Sequence, residues 1–119
     1  MAKTKILIVE DNPIVAEDLK RKLINLSYEV TATTYSGNEA LESVKDKKPD
    51  IVLMDIRLGD GMNGIDVATI LKKDHNISII YVTAHSDDDT IYRAKQTQPY
   101  GYIVKPFDDN ELKSTIEIA

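Results

Sequence analysis

The stretch Ile51-Val52-Leu53-Met54-Asp55 decides the fold. Four apolar residues run without a break into a carboxylate. A run this short and this uniformly apolar suits a strand buried on both faces, the situation found inside a parallel sheet. Asp55 then stands at the C-terminal end of that strand. In open α/β sheets, ligands bind outside this edge. What matters next is which other groups converge on Asp55.

Upstream, Ile6-Leu7-Ile8-Val9 reads as another buried strand, ending in Glu10-Asp11-Asn12-Pro13. Asn12 suits a helix N-cap. Pro13 suits the first helical position, where its missing N–H would have no partner anyway. Val15, Leu19, Leu23 and Leu26 recur at helical spacing, which predicts a helix over residues 13–26. Residues 29–33 are rich in β-formers but half polar, as expected of a strand at or near a sheet edge. Ser36 and Glu39 have capping-box spacing, and Ala40, Leu41 and Val44 follow on one face.

Downstream of Asp55, Gly59, Gly61 and Gly64 mark a tight, irregular loop. Ile65, Ala68 and Leu71 carry a third helix. Ile77, Ile79, Ile80 and Val82 form a fourth strand that ends at Thr83. Ser86 and Asp89, at capping-box spacing, open a fourth helix that reaches Lys95 and is broken by Gln98-Pro99. Residues 100–104 form a fifth strand, ending at Lys105-Pro106. Asp108 and Glu111 open a last helix with Leu112, Ile116 and Ala119 on its inner face. Strand and helix thus alternate. The pattern predicts one α/β domain over residues 1–119, a doubly wound five-stranded parallel sheet with helices on both faces.

Composition narrows the function. The chain has 119 residues, 42% hydrophobic and 29% charged, as in an ordinary globular domain. With no Cys, disulfides, thiolate metal sites and cysteine nucleophiles are excluded. There is no Trp and one Phe, which argues against an aromatic platform for bases. The net charge is −5 and the basic residues are scattered, which argues against a nucleic-acid footprint. No apolar run is long enough to span a membrane. The apolar segment 6–9 is too short for a signal peptide, so a cytoplasmic location is expected.

Parallel strands bring their C-terminal ends to one edge. Here those ends carry Glu10-Asp11, Asp55, Thr83 and Lys105. Singly, each has an ordinary reading: charge at a helix N-terminus for Glu10-Asp11, a loop carboxylate for Asp55, a β-former or cap for Thr83, a surface lysine for Lys105. Together they ask for a ligand. Three close carboxylates repel one another unless a cation joins them. Oxygen ligands with no His or Cys beside them point to Mg²⁺ or a similar hard ion. An ammonium and a hydroxyl beside them suit a transferred phosphoryl group, whose oxygens need positioning and neutralisation. Asp55 is the candidate acceptor, because a carboxylate can act as nucleophile and form an acyl phosphate.

On these residues — Glu10-Asp11, Asp55 after Leu53-Met54, Thr83-Ala84 and Lys105-Pro106-Phe107 — the chain resembles the receiver domains of two-component response regulators over nearly its whole length. The resemblance implies the flavodoxin-like strand order 2-1-3-4-5. It implies that Asp55 takes a phosphoryl group from a phosphohistidine of a sensor histidine kinase or phosphotransfer protein. Asp11, Asp55 and the Arg57 main-chain carbonyl would ligate Mg²⁺, with Glu10 acting through water. Lys105 would pair with one phosphoryl oxygen and Thr83 with another. Thr83, in moving, would leave room for Tyr102 to turn inward. The Lys105–Pro106 bond would be cis, and Arg57 and His85 would stand where phosphoryl lifetime is tuned.

The implied output is a change in the surface of the fourth helix, fifth strand and fifth helix, which would dock an output domain or a second copy. Such a protein hydrolyses its own aspartyl phosphate and turns over no external substrate. Two departures from the family pattern stand out. The loop over residues 58–64 lacks Pro and is one residue longer. Gln98-Pro99-Tyr100-Gly101 replaces a Gly-Ala pair. Two other readings fit less well. A phosphohydrolase with an Asp nucleophile would want a second acid where Arg57 stands, and a cap domain. In a flavodoxin-like FMN module, Glu10-Asp11 would repel the phosphate.

Overall fold

A computed structural model describes residues 3–59 and 63–119; Asp60, Gly61 and Met62, in the middle of the long loop, lie outside the described residues. Strands and helices alternate along the chain: β1 (Lys5–Val9), α1 (Pro13–Asn25), β2 (Glu29–Thr34), α2 (Gly37–Asp46), β3 (Ile51–Met54), α3 (Gly64–His75), β4 (Ser78–Thr83), α4 (Asp88–Lys95), β5 (Gly101–Val104) and α5 (Asp109–Ile118). All pairings are parallel, in the order β2-β1-β3-β4-β5. β2 is an edge strand, which accounts for its half-polar sequence. No helix among the described residues is long and apolar enough to cross a membrane.

Alternation along the strands builds two cores. Leu7, Val9, Val52, Met54, Ile79 and Tyr81 point to the face covered by α2, α3 and α4, where Ala40, Val44, Ala68, Leu71 and Ala94 meet them. Ile6, Ile8, Ile51, Leu53, Ile80, Val82 and Ile103 point to the other face, against Ala16, Leu19 and Leu23 of α1 and Leu112 and Ile116 of α5. Every residue of β3 is therefore buried, alternately on one side and the other. That double burial is the physical reason for its unbroken apolar run. The strand order reverses between β1 and β3, so the crevice beyond their C-terminal ends is where Val9 and Met54 hand over to Glu10 and Asp55.

Caps set the helix starts. The Asn12 side chain accepts from the Ile14 and Val15 N–H groups. Ser36 accepts from Glu39, Asn63 from Asp66 and Asp108 from Glu111. α4 departs from the sequence reading: its cap is Asp87, not Ser86. The Asp87 carboxylate accepts both the N–H and the hydroxyl of Thr90, two bonds that a Ser at 86 cannot match. α5 also ends sooner. Leu112 and Ile116 are buried, but Ala119 is the exposed C-cap, beyond the last turn that touches the core.

Two buried tyrosines tie helices to the sheet. Tyr28 donates to Glu117 of α5 at 2.6 Å, and the Tyr81 hydroxyl pairs with that of Thr97 at 2.7 Å. Burial, joined at Tyr28 by the neighbouring Glu117 carboxylate, pushes both phenols from the ordinary 10.0 to about 12. A folded-state pKa above the unfolded one means stability that is complete below pH ~10 and lost as pH rises toward 12. Tyr28→Phe should lower stability by about 1 kcal/mol near neutrality, the net value of one hydrogen bond. Thermal melts at increasing pH should show the gap to wild type narrowing above pH ~10, because the variant has no phenol to ionise.

Candidate functional site

The sheet edge positions each functional side chain through backbone bonds. Asp55 follows β3, and its N–H donates to the Val9 carbonyl at 2.9 Å. Glu10 follows β1, and its N–H donates to the Thr34 carbonyl at 3.0 Å. Lys105 follows β5, and its N–H donates to the Thr83 carbonyl at 2.9 Å. The Lys105–Pro106 peptide bond is cis. Glu10 is 2% exposed and Asp55 9%, so both carboxylates sit in the floor of the crevice, while Asp11 stands exposed at its rim.

Glu10, Asp11 and Asp55 each offer a carboxylate oxygen within 4.8 Å of the others. The Lys105 ammonium forms an ion pair with Glu10 and stands 3.6 Å from Asp55 Oδ2. One ammonium against three carboxylates leaves the cluster negative. Asp11 registers this: its pKa is raised by partial desolvation first, then by the hydrogen bond and charge of the adjacent Glu10. An all-oxygen cluster with surplus negative charge is the donor set a hard divalent cation takes. The cluster therefore fits Mg²⁺, with Glu10, Asp11 and Asp55 as the oxygens within reach.

Thr83 is fully buried at the end of β4, and its hydroxyl oxygen accepts from the His85 N–H at 3.3 Å. Among the described residues its own proton meets no acceptor. Tyr102, half-buried on β5, donates its hydroxyl to the His85 carbonyl and packs its ring 5.9 Å from that of Tyr81. Both groups thus hold the same residue. Burial, then the charges of Asp87 and Asp55, raise the Tyr102 pKa and keep its proton in place for that bond. Arg57 is exposed beyond Asp55. At Asp87 the bonds from Thr90 lower the carboxyl pKa, and the Arg57 charge adds to the effect.

Two glycines shape the crevice. Gly59 has φ +75°, and a Cβ there would stand 3.5 Å from Asp11 Oδ2. At Gly64 a Cβ would lie 2.1 Å from the Asp55 carbonyl oxygen. The first turn of α3 is therefore laid directly on the backbone of Asp55.

Comparison with known proteins gives the family of the chain. Residues 6–117 match the family described as response regulator receiver domain. The chain belongs to the response regulator receiver domain family. It is 35% identical over 114 residues to the DNA-binding response regulator MtrA of Mycolicibacterium smegmatis, covering 96% of this chain and 49% of that protein. It is 34% identical over 115 residues to the transcriptional regulatory protein PdtaR of Mycobacterium tuberculosis, covering 97% and 56%. The chain thus spans about half the length of the curated relatives it matches.

Among solved structures, the signal receiver domain of a modulated diguanylate cyclase from Desulfovibrio desulfuricans G20 superposes with a TM-score of 0.93 at 36% identity, covering 99% of this chain and 94% of that one. A CheY-like receiver domain protein from Methanospirillum hungatei JF-1 gives 0.89 at 25% identity, covering 98% and 92%. Receiver domains are phosphorylation-controlled switches of two-component signalling, and they hold Mg²⁺ in an acidic pocket. This receiver domain presents such a pocket in Glu10, Asp11 and Asp55.

Sequence reasoning found the strand-end groups, and the run Asp87-Asp88-Asp89 suits the helix N-terminus where it stands, but Gly64 and Tyr81 were missed. Gly64 was readable only as one glycine among three in a loop. The role of Tyr81 depends on Thr97, which no strand or helix period singles out.

Proposed function

We propose that residues 1–119 form one receiver domain that accepts a phosphoryl group on Asp55. The carrying observation is the ring of Glu10, Asp11 and Lys105 around that carboxylate. The donor is a phosphohistidine of a sensor histidine kinase or phosphotransfer protein. An Asp55 oxygen forms the new bond to phosphorus as the P–N bond to the donor breaks, and the leaving imidazole takes up a proton. Bound Mg²⁺ supplies charge neutralisation for the phosphoryl oxygens. Asp11 and Asp55 would hold it with the Arg57 carbonyl, and Glu10 would act through water. Lys105 would then exchange its pairing with Glu10 for a phosphoryl oxygen.

The Thr83 hydroxyl proton would be donated to a second phosphoryl oxygen. Because Thr83 and Tyr102 both bind His85, this shift passes directly to the start of α4. Thr83, in moving, would leave room for Tyr102, whose hydroxyl donates to the His85 carbonyl, to turn inward. Arg57 and His85 would tune phosphoryl lifetime. The output surface is that of α4, β5 and α5, where Tyr92, Tyr100 and Val104 are exposed. It would dock an output domain or a second copy in the cytoplasm, without nucleic-acid contact by this domain. Self-hydrolysis of the aspartyl phosphate ends the signal; no external substrate is turned over.

Incubation with acetyl phosphate tests the reading. With Mg²⁺, intact mass should show one added phosphate per chain; with EDTA, uptake should fall at least about tenfold, since the carboxylates and the incoming phosphoryl oxygens then face one another unneutralised. No uptake with Mg²⁺, or equal uptake in EDTA, overturns it.

A further inference from the structure

α4 is held very differently at its two ends. Its buried residue is Ala94, in the last turn. Just beyond, Thr97 donates its hydroxyl to the Ala94 carbonyl at 2.6 Å and pairs with the buried Tyr81 hydroxyl at 2.7 Å. Since the Thr97 proton is used on Ala94, Tyr81 is the donor of that second bond. From α3, Lys72 donates to the Gln98 carbonyl at 2.8 Å. The Tyr100 N–H then returns to the Ile79 carbonyl of β4 at 2.8 Å. None of these groups belongs to the phosphoryl site.

The N-terminal end has the opposite character. Ser86, Asp87, Asp88 and Asp89 are exposed. Among the described residues, the hydrogen bonds that reach the start of α4 from β4 and β5 are those of Thr83 and Tyr102 to His85. Both come from residues placed in the switch. An open groove of about 620 Å³ lies between α4 and β5, lined by Ile91 and Tyr102 and, at the C-terminal end of the helix, by Lys95, Gln96, Gln98 and Pro99.

We infer that α4 is a lever pivoted at its C-terminal end, with Tyr81 as the pivot that fixes Thr97 to the sheet. Phosphorylation would then move residues 84–91 and leave residues 96–98 in place. Tyr81 acts here as a positioning residue, and the inference rests on the reading of Asp55 as phosphoryl acceptor. It deepens that reading by naming which part of the output surface responds. Tyr81 and Thr83 lie on the same face of β4, so a single strand carries both the sensor of the phosphate and the anchor of the helix it drives.

Residue-resolved hydrogen exchange on the full chain, with and without beryllofluoride plus Mg²⁺, tests the lever. The Gln96, Thr97 and Gln98 amides, bonded to the Arg93, Ala94 and Lys95 carbonyls, report on the pivot. His85, Thr90 and Ile91 report on the free end. In wild type, beryllofluoride should change exchange at the free end and leave the pivot within about twofold. Tyr81→Phe should speed exchange at the pivot by roughly three- to tenfold, the factor for one hydrogen bond, and make it respond to beryllofluoride. Thr97→Val, close in volume, should do the same from the other partner.

Equal responses at both ends of wild type, or unchanged pivot exchange in both variants, overturn the lever. Phosphate uptake from acetyl phosphate is measured on the same sample. Uptake with equal responses at both ends removes the lever and leaves the Asp55 reading intact; no uptake removes both.

Discussion

Asp55→Asn is expected to reduce phosphate uptake from acetyl phosphate to background, a loss of more than about a hundredfold. The amide has nearly the shape of the carboxylate but is a poor nucleophile toward phosphorus. It also removes one negative charge from a cluster whose oxygens lie within 4.8 Å of one another, so the fold should not suffer. Lys105 keeps its ion pair with Glu10, and the repulsion between Asp55 and its two acidic neighbours disappears. The melting temperature should therefore hold steady or rise while uptake vanishes. Intact mass after incubation with acetyl phosphate and Mg²⁺, alongside a thermal melt, gives both readings. Wild-type uptake by the variant would show that another group is the acceptor.

The opposed directions of those two readouts follow from how the site is built. A residue that held the core would lose stability and activity together. Asp55 is buried between two like charges and the Lys105 ammonium, and its N–H stays bonded to the Val9 carbonyl whatever charge its side chain carries. The rigidity belongs to β3, with both faces packed; the chemistry belongs to the strand ends.

That division also explains what could be read from the sequence. Residues 6–9, 51–54 and 79–82 are apolar because parallel strands are covered on both sides, and this leaves a plain mark in one dimension. Their C-terminal neighbours Glu10, Asp55 and Thr83 inherit a common edge from topology alone. The order β2-β1-β3-β4-β5 was not in the pattern itself; it came with the family resemblance and is what the sheet shows. Local chemistry blurred the helix starts. Ser86 and Asp87 both suit a cap, and only the two hydrogen bonds that Asp87 accepts from Thr90 separate them. The reach of Tyr81 to Thr97 was illegible for another reason. It joins a strand to a turn across 16 positions, and no periodicity records such a pair.

Gly64→Ala is the substitution expected to damage the fold most for its size. Its Cβ would lie 2.1 Å from the Asp55 carbonyl oxygen and 2.9 Å from both the Asp55 carbonyl carbon and the Ile56 Cα. These are backbone atoms, so no side chain can rotate away. Either α3 lifts at its first turn or the segment after β3 is pushed aside. Lifting α3 breaks the 2.7 Å bond from the Gly64 N–H to the Ile56 carbonyl and strains the Asn63 cap on Asp66. Overpacking, one hydrogen bond and part of a cap together amount to about 3 kcal/mol. For a domain of this size that is a fall of roughly 10–15 °C in Tm.

Gly59→Ala is the control. That residue has φ +75°, and among the described residues its Cβ would meet only Asp11 Oδ2, at the ordinary contact distance of 3.5 Å, so the expected penalty is that of the left-handed backbone, about 1 kcal/mol. Urea unfolding of the two variants should rank them in that order. The folded fraction of Gly64→Ala should also take up phosphate more slowly, because the displaced atoms are those of Asp55 itself. A Gly64→Ala protein within about 0.5 kcal/mol of wild type, the ordinary scatter of a surface substitution, would mean that α3 can step back from β3 without loss. The close seat of that helix on the Asp55 backbone would then have no part in holding its side chain toward Asp11 and Lys105.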